Sequence, residues 1–421
     1  MKKTVFFCLL TFVLVSASTP SFAKIEVVPT LSLREEYNDN IFLTRENKED
    51  DFITTIIPAV SLRYSPNKLL DLDLDYKLNF RFYGSHNEFN DDNLRDSQNA
   101  YFLARSRPLN YLYIDASDTY RRVPVDVRRR FAEGNEIVNV TESNVFFISP
   151  YIQYPVTPSI LSTIGYEYDN KWFNSAELRD SESHAAFLTM GKTFQSKLNV
   201  DLKYRYYKYL AEPAEELDAG VIKDYDSHRG SVLLAYQASR DVKVEGEVGE
   251  SRIDFESAED SKGAFWKVGV DYGSGSADGT LLGLSYGSSF RDSPLSGVYR
   301  SRRAEVSFRT GRVLALMINP YYSKDKFIRT DRTDRITGVK LSISRPLTEK
   351  LSVSLNGDYE RQKFLPGQES VDKYGAGGDL NYKLNKFVTT GLGYRYNNRD
   401  SDDVEGDFDN NIVWLLAKAV F

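Results

Sequence analysis

Cysteine is nearly missing from this 421-residue chain: Cys8 is its sole example. Cys8 falls inside the apolar run Val5–Val15, behind Lys2 and Lys3 and ahead of Ser21-Phe22-Ala23. Basic start, short apolar core and small-x-small end read as a secretory leader over residues 1–23, removed on export. Cys8 lies too early in that leader to be a lipid-attachment site. A mature chain from about Lys24 would then hold no disulfide and no thiol nucleophile. Long hydrophobic runs are missing too. After the leader no stretch approaches the ~20 apolar residues of a membrane-crossing helix. Histidine and tryptophan number three each. Basic excess is absent: 54 Lys and Arg stand against 60 Asp and Glu, and without Lys2 and Lys3 the balance is 52 against 60. With no basic stripe, nucleic acid is excluded as a partner.

What is abundant is tyrosine and phenylalanine, 28 and 25, in segments of about ten residues that alternate apolar with polar. Leu72, Leu74, Tyr76, Leu78, Phe80 and Phe82 fall on one side of a strand. Asp71, Asp73, Asp75, Lys77 and Arg81 fall on the other. The same parity returns at Val200, Leu202, Tyr204 and Tyr206 against Asp201, Lys203 and Arg205. A polar side this charged does not suit a packed interior, so it is expected to line a water-filled lumen while the apolar side meets lipid. The mean hydropathy of −0.44 agrees, because only alternate residues need be apolar. A secreted soluble β-protein is the competing reading. A bladed propeller shares the period of about 40 residues but wants more tryptophan landmarks.

The expected fold is therefore all-β: a single-chain antiparallel transmembrane barrel over residues 24–421. Twenty strands are predicted, from 25–37 to 409–421. Eighteen is the next count, because 301–323 is divided only by a weak turn at Gly311-Arg312. Pro- and Asn-bearing turns such as Arg107-Pro108-Leu109-Asn110 and Pro346-Leu347-Thr348-Glu349 are short and assigned to the periplasmic end. Long polar loops are assigned to the outside, among them 38–50, 84–96, 123–142, 292–300, 324–334 and 365–371. The terminal strand Ile412–Phe421 resembles the signal by which outer-membrane barrels are assembled, with Phe421 as its aromatic. Its partners would be the barrel-assembly machinery, outer-membrane lipid and lipopolysaccharide.

Chemistry-bearing residues are few. His86, His184 and His228 are placed at loops or outer strand ends. His184 follows Ser183, and His228 follows Asp226-Ser227, but strand neighbours point to opposite faces. No catalytic role is assigned, and the chain is not expected to be an enzyme. The acidic stretch Asp400–Asp407 offers oxygen ligands to Ca²⁺, yet lacks the spacing of a calcium loop. A solvated loop is the default, with no metal or cofactor. Arg121, Arg122, Arg128, Arg129 and Arg130 cluster about the longest loop. They form either an anion-selecting constriction, if the loop folds inward, or an outward lipopolysaccharide contact.

The mature N-terminus carries Pro29-Thr30-Leu31-Ser32-Leu33-Arg34, then Tyr37-Asn38-Asp39-Asn40-Ile41-Phe42-Leu43-Thr44, then Pro58-Ala59-Val60-Ser61-Leu62-Arg63-Tyr64. This hairpin resembles the opening of the putative β-barrel porin 2 family, and more narrowly the outer-membrane barrels found with exopolysaccharide and exosortase (PEP-CTERM) systems. The resemblance implies an outer-membrane pore assisting polysaccharide export and transfers no catalytic residue. A general diffusion porin, and a structural or adhesion barrel with a loop-filled lumen, are the alternatives.

Overall fold

The structure is a computed structural model. It describes residues 25–67, 69–126, 129–132, 135–212, 224–256, 259–273, 279–293, 297–311, 314–330, 332–367, 369–402 and 406–421. The leader expected over residues 1–23 lies outside these.

Strands make up most of the described chain, with longer connections after β1, β4 and β6. The first are β1 (Ile25–Asn38), β2 (Asp51–Asn67), β3 (Leu70–Leu78), β4 (Phe80–Tyr83), β5 (Gln98–Ser106), β6 (Leu112–Pro124) and β7 (Val140–Thr157). Next come β8 (Ile160–Phe173), β9 (Ser181–Phe194), β10 (Leu198–Ala211), β11 (Tyr225–Gln237), β12 (Val242–Phe255), β13 (Ser261–Gly273) and β14 (Leu281–Ser293). The last are β15 (Gly297–Thr310), β16 (Ala315–Phe327), β17 (Thr333–Pro346), β18 (Leu351–Leu365), β19 (Glu369–Lys383), β20 (Val388–Ser401) and β21 (Phe408–Val420). Each pairs antiparallel with its neighbours, and β21 pairs back onto β1 through Thr30↔Val420 to Asn38↔Ile412. The sheet is closed. β3 and β4 both pair with β2 and form one stave broken at Asn79, so the ring has twenty staves.

The period-2 pattern decides what faces where. Ile164, Leu188, Met190, Leu202 and Leu234 are 58%, 43%, 47%, 54% and 48% exposed, although they sit mid-strand. Only a barrel surrounded by lipid makes such exposure tolerable, because every backbone group is already satisfied within the sheet. Turns at the end that carries Ile25 and Phe421 are short, as from Thr157 to Ile160 and from Phe194 to Leu198.

Three connections expected to be long outer loops are mostly strand. β14 runs to Ser293 and β15 starts at Gly297, β16 reaches Phe327, and β19 begins at Glu369. The weak turn at Gly311 does divide two strands, with Gly311 at φ +121°. This is a region where a side chain is strained.

The hairpin β14–β15 departs from the simple ring. β13 and β14 pair only up to Trp266↔Ser288. Below that level one face of β14 looks outward: Leu284 is 44% and Tyr286 42% exposed, and Tyr286 meets Trp266 edge-on at 4.8 Å. Above it the same face turns against the inner wall. Ser288 is buried, and Phe290 and Val298 pack with Tyr209, Tyr225, Ile253 and Phe255 of β10–β12. The hairpin has folded into the barrel. Gly263 on β13 makes room, since a Cβ there would lie 3.2 Å from Phe290 and 3.7 Å from Arg300. Arg300 Nη2 donates to the Ala264 carbonyl at 2.9 Å across the parted edges. The Trp266–Tyr286 pair marks the interfacial level, so these edges open above the hydrocarbon, where water can satisfy them.

Candidate pore and its outer mouth

Many charges on the inner wall find partners on their own strand or one or two strands away. Asp71, Asp73, Asp75 and Lys77 share one face of β3, and Arg81 continues it on β4 through the common partner β2. Asp73 lies 3.6 Å from Arg63, Asp75 accepts from Ser61 Oγ at 2.5 Å, and Asp71 accepts from Ser65 Oγ. On β10, Asp201, Lys203 and Arg205 share a face, and Arg205 meets Glu167 of β8 at 2.5 Å. Glu245 takes both Lys243 (3.3 Å) and Lys267 (2.9 Å). Arg395 reaches Asp358 at 3.3 Å, and Arg34 joins Glu36 at 2.6 Å while lying 4.5 Å over the Trp414 ring. Several of these charges are therefore neutralised locally, while Asp71 and Asp75 are met by hydroxyls.

The arginines of the β6–β7 connection do not act as one bare cluster. Arg122 donates through both Nη atoms to Asp91 at 2.8 Å and lies 3.4 Å from Glu136 and 3.6 Å from Glu142. Arg129 pairs with Glu177 at 2.7 Å. Arg121 is exposed, Arg130 half-buried, and Arg128 lies outside the described residues. Arg81 also reaches Glu136, at 3.4 Å.

The connection itself crosses the mouth. Asn135 Nδ2 donates to the Ile41 carbonyl at 2.8 Å. Ala132 packs with Leu43 and Phe408, and Ile137 with Ile41, Ile53 and Tyr83. Phe131 lies beneath Lys373 of β19, 4.5 Å from its ammonium. From β6 to β19, by way of β1, is seven staves of twenty, so this chain segment spans a chord of the opening. With the segment after β1 and that after β4 it forms a cap with its own small core.

His86 fastens the cap. Its Nδ1 lies 2.9 Å from Asp51 Oδ2, its Nε2 2.8 Å from Glu49 Oε2, and its ring meets Phe42 edge-on at 5.4 Å. Hydrogen bonds to Asp51, then Glu49, raise the His86 pKa above its usual 6.5. A raised folded-state pKa gives stabilisation that is complete below about 6.5 and lost as pH rises through the folded value. Hydrogen exchange of residues 39–50 is therefore expected to quicken as pH rises above about 6.5, beyond its intrinsic base catalysis. In His86→Gln that extra step should vanish.

His184 and His228 sit elsewhere, on the outward face. Tyr166 Oη lies 2.5 Å from His184 Nδ1, and Tyr204 Oη 2.8 Å from His228 Nδ1. Ser183 and Ser227, their chain neighbours, line an inner cavity instead. Among the described residues no group of three His, Cys, Asp or Glu could hold a metal ion. In the acidic stretch Asp407 accepts from the Ser401 amide (2.6 Å) and hydroxyl (2.8 Å), and Asp402 from the Ser370 amide at 2.7 Å. Residues 403–405 lie outside the described set.

Sequence reasoning missed the clamp that closes the ring. Asn410 of β21 donates from Nδ2 to Asn38 Oδ1 (2.5 Å) and to the Asn40 carbonyl (3.2 Å), and accepts from Asn397 Nδ2 of β20 (3.1 Å). Asp39 accepts from the Asn411 amide at 2.6 Å and from its Nδ2 at 2.7 Å. Asn40 Nδ2 donates to the Asp409 carbonyl at 2.8 Å. Asn40 and Asn410 are both fully buried. Asn38-Asp39-Asn40 thus meets Asp409-Asn410-Asn411 across the joint between first and last strands. The likeness of these two polar triads, each followed by Ile, was the available signal.

Solved structures of low sequence identity share the fold. A point mutant of the ferric enterobactin receptor PfeA of Pseudomonas aeruginosa is 10% identical, with TM-score 0.54 over 94% of this chain and 80% of its own. The siderophore receptor PirA of the same organism is 11% identical, with TM-score 0.50 over the same shares. No curated protein matches the chain in sequence. A family model described as Putative beta-barrel porin 2 matches residues 335–420, the span of β17–β21. With its closed ring and lipid-suited exterior, the chain has the fold of Gram-negative outer-membrane β-barrels, and over its last five strands it is similar to the Putative beta-barrel porin 2 family.

Proposed function

We propose that the barrel is a pore that assists the outward passage of an extracellular polysaccharide. The observation that carries this reading is the inner wall, where acids and bases stand in local pairs, as Arg205 with Glu167, Arg395 with Asp358, and Glu245 between Lys243 and Lys267. Such a wall presents hydrogen-bonding groups on every side without a strong field of either sign. It suits a bulky hydroxyl-rich polymer better than a selected ion, which needs uncompensated charge at a narrow place. The N-terminal resemblance to barrels of exopolysaccharide systems points the same way. A second reading, a structural barrel closed by its loops, draws on the cap, where Ile41 and Leu43 are buried as in a core.

Planar-bilayer conductance tests the choice. A pore should conduct and be blocked by added polysaccharide, whereas a sealed structural barrel should show neither behaviour. Because the capping segment crosses the mouth, Arg129→Ser with Arg130→Ser should move the reversal potential in a salt gradient toward cations and raise conductance. An unmoved potential would show that these arginines do not border the ion path.

Assembly at the cell surface is proposed to use Phe421. It is 70% exposed on the lipid side of β21, and its amide donates to the Pro29 carbonyl at 3.0 Å. Its deletion should lower the amount of heat-modifiable barrel in the outer membrane several-fold. Unchanged amounts would remove that role.

A further inference from the structure

Between the inner wall of β7–β12 and the infolded β14–β15 hairpin lies a cavity of about 330 Å³. That is at the low end of the range for ligand sites, about 300–1,000 Å³. Its walls combine two kinds of surface. Phe147, Tyr207, Tyr225 and Phe290 contribute aromatic rings. Glu167, Asp169 and Asp292 contribute three carboxylates, against three cations on Lys171, Arg205 and Arg229. The formal sum is zero, and two of the three cations face carboxylates. Arg205 meets Glu167 at 2.5 Å, Lys171 lies 3.3 Å from Asp169, and the Arg229 guanidinium sits 3.6 Å over the Phe265 ring. Asp292 accepts from the Tyr225 hydroxyl and, at 3.4 Å, from that of Tyr207.

Each ligand class meets these walls differently. An anion entering would lose hydration beside three carboxylates with no surplus cation, and a cation would face the mirror problem. An apolar ligand would strip water from six ionised groups and return nothing. A neutral ring with hydroxyls at its edge and C–H groups on its faces suits both surfaces. Guanidinium and carboxylate offer paired donors and acceptors to neighbouring hydroxyls, while the aromatic rings take the C–H face.

We propose that this cavity binds an uncharged saccharide, as a subsite for a few units of a longer chain near the outer mouth. The proposal rests on the polysaccharide reading above and narrows its cargo to neutral glycans. The Glu167–Arg205 pair sets that preference: without the carboxylate, the cavity gains one net positive charge facing the ligand.

The test is titration calorimetry of the refolded full chain in detergent. Neutral hexasaccharides of glucose, galactose and mannose are the probes, beside hexagalacturonate. At least one neutral hexasaccharide should bind, with hexagalacturonate about tenfold weaker. In Glu167→Gln the neutral ligand should weaken several-fold and hexagalacturonate strengthen about tenfold. A role confined to folding would not invert the preference. Native protein that binds hexagalacturonate equally or more tightly overturns the neutral class and leaves glycan passage standing. Neutral binding that Glu167→Gln leaves unaltered overturns the cavity as the site. Binding of none of the four overturns the proposal, while blockade of conductance by polysaccharide decides the pore reading separately.

Discussion

Leu202→Arg should destabilise the membrane-inserted barrel by about 2–4 kcal/mol, the cost of a cation on the lipid face near mid-depth. Leu202 lies between Met190 and Val232 of the flanking strands, and it is 54% exposed with nothing but lipid to cover it. Ser231→Arg should cost far less. Ser231 pairs with Lys203, faces the lumen and donates to Glu247 at 2.8 Å, so an arginine there finds water and a carboxylate. Urea titrations of the two variants in lipid vesicles measure the contrast. Equal costs would mean that inward and outward faces have been exchanged.

Asn410→Ala is expected to be the most damaging change at the closing joint, at about 3 kcal/mol. It removes three buried hydrogen bonds, each worth about 1 kcal/mol net, and strands the Asn397 amide beside a small void. Asn385→Ala provides the comparison. Asn385 Oδ1 accepts two bonds, from the Phe387 and Val388 amides, but in an exposed turn where water replaces it. Its loss should cost about 1 kcal/mol or less. Similar unfolding midpoints for the two variants would show that the asparagines do not hold the joint.

How much of this was legible in the sequence depends on how far apart the partners lie. The stave Leu70–Tyr83 was plain, because alternation is a local property and one strand's face is decided by its own residues. The twenty-strand count survived for the same reason. The β14–β15 hairpin reads as a loop over 292–300 because Asp292, Pro294, Ser296 and Gly297 resemble turn formers. Asp292 is in strand, held by Tyr207 and Tyr225, which lie 85 and 67 residues earlier. The arginines, taken by sign alone, look like one cluster. Asp91 and Glu177, which occupy Arg122 and Arg129, lie 31 and 48 residues away and leave no local trace. The run Asn38-Asp39-Asn40 is visible as a polar stretch within the hairpin that resembles the family, but its purpose emerges only when Asp409–Asn411 comes beside it.

That clamp also separates what can vary in this architecture from what cannot. Every other joint in the ring links strands adjacent, or nearly so, in the chain, so each hairpin brings its own partner. Only the joint between β1 and β21 unites residues some 370 positions apart, as Asn38 and Asn410 show. A lineage that duplicated or lost a hairpin between β2 and β20 would alter the circumference without touching the residues that seal it. Barrels of different girth could then inherit one lock.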